Sequence, residues 1–113
     1  MPGQGAGIAI GHAEHMDTNI EIRHDEEHSR FDLFVDGRAA GVLEYQLDGT
    51  VATMFHTEVF GEFGGRGLGT VLVREALGVA RSRGWSIVPA CWFVRDYIRA
   101  HEADADLVAA TPS

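Results

Sequence analysis

A chain of 113 residues, 45% of them hydrophobic, can build one domain with a real core. Its nine basic residues are all arginine and stand against seventeen acids, for a net charge of −8. Nucleic-acid binders normally present a basic face to phosphates, so the composition argues against that class. A membrane helix needs roughly eighteen consecutive apolar residues, and no such run occurs.

The charge is uneven. Residues 1–60 hold three arginines and eleven acids, whereas residues 61–113 hold six of each. The neutral half keeps its arginines near its glycines, where a small anionic ligand can use them. A single cysteine, Cys91, excludes an internal disulfide. It fits a reducing, cytoplasmic setting.

Residues 1–17 are rich in Gly, Ala and His and lack the basic and apolar regions of a secretory signal. They are expected to be a flexible leader. The pairs His12/His15 and His24/His28 have spacings that a metal could use. A metal site needs three or four converging ligands, and no second cluster supports either pair, so no metal is expected.

The domain proper is expected over residues 18–108. Ile20 and Ile22 alternate with polar residues, as do Phe31, Leu33 and Val35. Asp36-Gly37 and Asp48-Gly49 are hairpin turn signals. Between and after them, residues 39–47 and 51–59 read as strands. In the last strand, strict alternation puts Val51, Thr53, Phe55, Thr57 and Val59 on one face. Ala52, Met54, His56 and Glu58 fall on the other.

The period then changes. From Leu68, a broad apolar face of Leu72, Val73, Ala76, Leu77, Val79 and Ala80 predicts a helix that Gly84 stops. Trp85 to Val88 reads as a short buried strand ended by Pro89. Phe93, Val94, Tyr97, Ile98 and His101 then repeat at helical spacing, and residues 109–113 are expected to fray. The order predicts an α+β (mixed α/β) fold: an antiparallel meander, a glycine loop, a helix, a strand and a helix. A strand–helix–strand unit makes its strands parallel with a right-handed crossover. Ligands bind outside the carboxyl ends of such strands.

The junction is GEFGGRGLGTVL, residues 61–72. A P-loop would need a lysine, which is lacking. A dinucleotide fingerprint would need G-x-G-x-x-G after a βα unit; here the spacing is G-x-G-x-G after a meander. Two readings stay open on the residues alone. One is a cradle whose backbone N–H groups and helix N-terminus hold the pyrophosphate of an acyl-CoA. The other is a turn-rich loop with no ligand.

Gly65-Arg66-Gly67-Leu68-Gly69, opening a helix after a β-meander, resembles the acetyl-CoA-binding motif of the GNAT superfamily of N-acetyltransferases. The match is closer to its very small one-domain members. They share the pattern of His56-Thr57-Glu58-Val59, Val88-Pro89-Ala90-Cys91-Trp92-Phe93-Val94, which includes C-x-F-V, and Ala105-Asp106-Leu107-Val108. Two positions depart from it. Gly64 stands where the motif begins with Arg or Gln, and Trp92 stands where Pro is common.

The resemblance implies an acetyl-CoA-dependent N-acetyltransferase with no metal. Its pyrophosphate cradle would be Gly64, Gly65, Arg66, Gly67, Leu68, Gly69 and Thr70, with Val59 and nearby backbone holding pantetheine. It places the candidate active-site cysteine at Cys91, at the start of the last helix, where a thiolate would be stabilised. Cys91 would accept the acetyl group or line the thioester; a plain packing cysteine is the other reading. His56 and Glu58 are candidates for taking the acceptor's proton, directly or through water. The acceptor is expected to be a small amine or basic peptide, and the chain a monomer or weak dimer. A non-catalytic acyl-CoA-binding or protein-interaction module on the same fold is the alternative.

Overall fold

The computed structural model describes residues 19–109. The leader expected over residues 1–17, the His12/His15 pair and residues 110–113 lie outside the described residues.

Five strands form one sheet in sequence order: β1 (Ile20–Asp25), β2 (Arg30–Val35), β3 (Arg38–Asp48), β4 (Val51–Val59) and β5 (Ser86–Pro89). The first four make the expected antiparallel meander, and β5 lies parallel to β4. Helix α1 (Leu68–Arg83) connects β4 to β5, and α2 (Trp92–Ala100) follows. The β2–β3 hairpin turns on Asp36 and Gly37, with φ of 52° and 83°. Positive φ at both central residues is type I′ geometry, which matches the twist of the strands.

Alternation sets the core on one sheet face. Phe31, Leu33 and Val35 of β2 are buried, and Arg30, Asp32 and Phe34 are not. Leu68, Leu72, Val73, Ala76, Leu77 and Ala80 of α1 are buried with them in one cluster. Full burial of a large aliphatic or aromatic side chain is worth about 1.5–3 kcal/mol, and Phe31, Leu43, Met54, Leu72 and Ile87 are fully buried.

The strict alternation expected along β4 does not hold. Glu44 of β3 lies opposite His56, but its neighbour Tyr45 lies opposite Met54. Phe55 is therefore surplus to the ladder. A one-residue bulge reverses every face beyond it. Thr57 joins Ala52 and Met54 on the core face, opposite buried Leu43. His56 and Glu58 move to the outer face, opposite Glu44 and Val42, where no residue is buried.

Other boundaries shift by a residue. Pro89 ends β5 from within rather than following it. Trp85 belongs to the helix stop: Gly84 closes α1 at φ 73°, and the Trp85 N–H donates to the Ala80 carbonyl at 2.9 Å. After α2, a 3₁₀ segment (Glu102–Leu107) folds back on α1. Arg81 ties it down, bonding Asp106 at 3.0 Å, Asp104 at 3.1 Å and the Ala103 carbonyl at 3.3 Å. Val108 then bridges to Ile87 along the outer edge of β5.

Candidate functional site

The sheet splits at its carboxyl end. β4 and β5 are paired only from Val51/Ser86 to Met54/Pro89. The Met54 carbonyl accepts two N–H groups, from Ala90 at 3.0 Å and Cys91 at 3.1 Å. Beyond it the chain turns into α2. β4 runs on to Val59 with β3 as its one strand partner among the described residues. The bulge at Phe55 sits at the point of separation. Past it, Thr57 Oγ1 is buried with no hydrogen-bond partner among the described residues.

The glycine loop leads from this fork to α1. A 3₁₀ turn (Gly61–Phe63) precedes it, and Gly65 and Gly67 adopt φ of 78° and 74°. Left-handed backbone costs other residues about 1–2 kcal/mol. A Cβ at either glycine would meet no protein atom within 4 Å, so the loop's inner surface is bare backbone. Gly67 caps α1 without any side-chain bond. The first helical bond runs from the Val71 N–H to the Gly67 carbonyl at 3.4 Å. The N–H groups of Leu68, Gly69 and Thr70 have no acceptor within the helix and carry the positive end of its dipole.

Seven of the eight residues expected to hold the cofactor line one cavity of about 180 Å³: Val59, Gly64, Gly65, Gly67, Leu68, Gly69 and Thr70. Arg66 does not line it; its guanidinium lies 5.6 Å from the centre of the Phe63 ring. Phe63 and Phe93 complete the wall and were not expected there. Gly69 gives the missing signal. A Cβ on it would lie 2.6 Å from Phe93 Cζ, so this glycine admits an aromatic ring from α2.

A second cavity of about 280 Å³ shares Thr70 and Phe93 and continues along α2 past Trp92, Asp96 and Tyr97. Tyr97 stacks on His101 at 3.9 Å, and the His101 Nδ1–H donates to the Tyr97 carbonyl at 2.8 Å. Burial raises the Tyr97 pKa, and the positive charge of nearby Arg74 works against that shift. Neither Arg66 nor Arg74 has a salt-bridge partner among the described residues.

The residues expected to do chemistry lie on two different elements, Cys91 at the start of α2 and His56 and Glu58 on β4. Cys91 is the N-cap of α2 and only 9% exposed. It is absent from the walls of both cavities. His56 and Glu58 are exposed and joined, Nε2 to Oε1, at 3.1 Å. No hydrogen bond links the Cys91 side chain to either of them among the described residues. Of the pair His24/His28, His24 turns inward to the Tyr45 hydroxyl at 2.7 Å. His28 bonds Asp25 at 2.9 Å on the surface.

The family model described as GCN5-related N-acetyl-transferase matches residues 30–107. The chain belongs to the GCN5-related N-acetyltransferase family. Among curated proteins this family member is similar to Protein NATD1 of Xenopus tropicalis, 28% identical over 85 residues, covering 73% of this chain and 77% of that one. Protein NATD1 of Homo sapiens is 26% identical over 101 residues, covering 88% of each. Among solved structures, a GCN5-like putative N-acetyltransferase from Staphylococcus aureus superposes with a TM-score of 0.62. It is 23% identical and covers 81% of this chain and 90% of its own. The ribosomal-protein-S18-alanine N-acetyltransferase of Escherichia coli gives 0.51 at 23% identity, covering 74% and 50%.

The span matched by the GCN5-related N-acetyltransferase model runs from β2 through the bulge, glycine loop and fork. In chemical terms the loop offers N–H donors to an anion. The orphaned Thr57 hydroxyl and the free side of β4 offer polar groups to a narrow arm. The outer face offers a histidine hydrogen-bonded to a carboxylate.

Proposed function

We propose that this chain is an acetyl-CoA-dependent N-acetyltransferase acting on a small amine or a basic peptide. The observation that carries the reading is the continuity of bare glycine backbone, open helix N–H groups and a sheet fork at one end of the fold. The groups present fit acyl-CoA. The N–H groups from Gly65 to Thr70 would hold the pyrophosphate. Val59 and the free side of β4 would hold pantetheine, and the second cavity has an aromatic wall for the nucleotide end.

Acetyl-CoA supplies an activated acyl group as its thioester. The protein's own part is to align the acceptor nitrogen with that carbonyl and to remove a proton from it. His56 accepts that proton directly or through water, and Glu58, hydrogen-bonded to its Nε2, orients the imidazole. Glu44, directly across the ladder, adds negative charge for a cationic acceptor. Cys91 lines the thioester end or takes the acetyl group. The lone cysteine supports a reducing, cytoplasmic setting.

Calorimetry with CoA and acetyl-CoA tests the cofactor. No heat at millimolar ligand removes the reading. Intact-mass measurement after acetyl-CoA tests the thiol: an acetyl group that disappears in Cys91→Ala, with turnover lost, makes it the carrier. Unchanged mass with turnover surviving leaves Cys91 a packing residue. The burial of Cys91 and its absence from both cavities favour a second reading, a non-catalytic acyl-CoA-binding or protein-interaction module. Turnover on any of a panel of polyamines, amino acids and basic peptides eliminates it.

A further inference from the structure

The loop that would hold the pyrophosphate carries only one cation of its own, Arg66, because Gly64 contributes no side chain. A second guanidinium reaches Phe63, at the loop's entry, from elsewhere in the chain. Arg38 opens β3 just after the Asp36-Gly37 turn. β3 begins where β4 ends, with Gly41 opposite Val59, and the Phe60 N–H donates to the Ala40 carbonyl at 2.8 Å. The entry to the glycine loop is thus tied by backbone to the start of β3. The Arg38 guanidinium lies 5.1 Å from the centre of the Phe63 ring, and that of Arg66 lies 5.6 Å from the same centre. Phe63 is 4% exposed and forms part of the loop cavity wall. Both guanidinium groups therefore pack on one ring of the cavity wall, just outside the cavity lining itself.

Arg38 is held there by an ion pair with Glu62, with the two side chains 63% and 58% exposed. Exposed pairs of this kind contribute little to stability. A phosphate group offers a guanidinium more charge and a bidentate acceptor, so it competes well with a single exposed carboxylate.

We propose that Arg38 is an anion-binding residue of the glycine loop, exchanging Glu62 for the pyrophosphate of the bound acyl-CoA. Glu62 acts as a resident competitor that parks Arg38 beside Phe63 until the ligand arrives. The proposal rests on the acyl-CoA reading above. It assigns binding to a hairpin residue outside the loop itself.

Calorimetry on the full chain, with CoA and with 3′-dephospho-CoA, tests it in wild type, Arg38→Gln and Glu62→Gln, each checked by thermal melting. Arg38→Gln should weaken both ligands alike, by about tenfold, the size of one charge-assisted bond. Glu62→Gln should tighten both, by about two- to threefold, because the competitor is gone. Opposite signs are the signature. If the ion pair merely shaped the loop, both variants would weaken binding together, and that result overturns the proposal. Unchanged affinity in Arg38→Gln overturns it as well. A loss confined to CoA places Arg38 at the 3′-phosphate instead and overturns the pyrophosphate assignment. Wild-type protein that binds neither ligand removes the acyl-CoA reading itself, a result distinct from all of these.

Discussion

Gly69 illustrates how one missing methyl group organises a site. A glycine inside a helix costs about 1 kcal/mol relative to alanine, and here the vacancy is filled by the Phe93 ring. In Gly69→Ala the new Cβ would sit 2.6 Å from Phe93 Cζ. The ring is the mobile end of a side chain, so it moves rather than the helix. Helix propensity gains roughly what the displaced ring loses, and the melting temperature should change little. The ring is a wall of both cavities, however. CoA affinity should fall about tenfold, equivalent to ~1.4 kcal/mol, and the double variant with Phe93→Leu should recover part of it. Calorimetry and melting on the same samples check this. Unchanged affinity in Gly69→Ala would sink the idea that Phe93 walls the ligand.

At the scale of elements, the closing segment should be separable from the core. Arg81 alone gathers Asp104, Asp106 and the Ala103 carbonyl, and those carboxylates hold its pKa above the usual arginine value. Arg81→Ala should speed amide exchange over residues 102–109 severalfold and leave the buried amides of α1 unchanged. Hydrogen exchange followed by mass spectrometry reads both regions at once. If residues 102–109 stay protected, the Val108–Ile87 bridge is the true tether. Much of this architecture is legible in the sequence, because period two and period 3.6 mark the strands and helices and Asp-Gly marks the first hairpin. The bulge at Phe55 is not, since residues 51–59 alternate without a break. Only the register against β3 makes one of them surplus. For the same reason the sequence leads to the glycine loop but not to Phe93 or Arg38. Both belong to it through contacts between distant parts of the chain.

For the molecule as a whole, acid should act in two steps. His24 stacks on Phe31 at 4.2 Å and bonds the Tyr45 hydroxyl. Burial pushes its pKa below the ordinary histidine value, and Arg83 adds to that shift. The unfolded chain therefore takes up the proton first. The stability from a neutral His24 is fully present above pH of about 6.5 and is lost as pH falls through the lower folded value. The second step comes from Glu21, Asp25, Glu26 and Asp106, whose bonds to arginine or histidine hold their pKa values down. Their contribution is present above a pH of about 4.5 and disappears below it. Relief of the −8 net charge works the other way, so the measurement belongs at physiological salt, where such repulsion is screened. Denaturant midpoints from about pH 2 to about pH 8 should show His24→Phe losing the upper step and keeping the lower. An upper step that survives the substitution assigns it to another group.

The two N–H groups converging on the Met54 carbonyl also bear on how such a molecule can change over generations. What parts the sheet is main-chain bonding and one surplus residue, and neither depends on which side chains surround the opening. Selection can refit the walls for a different acceptor while the opening itself is inherited intact.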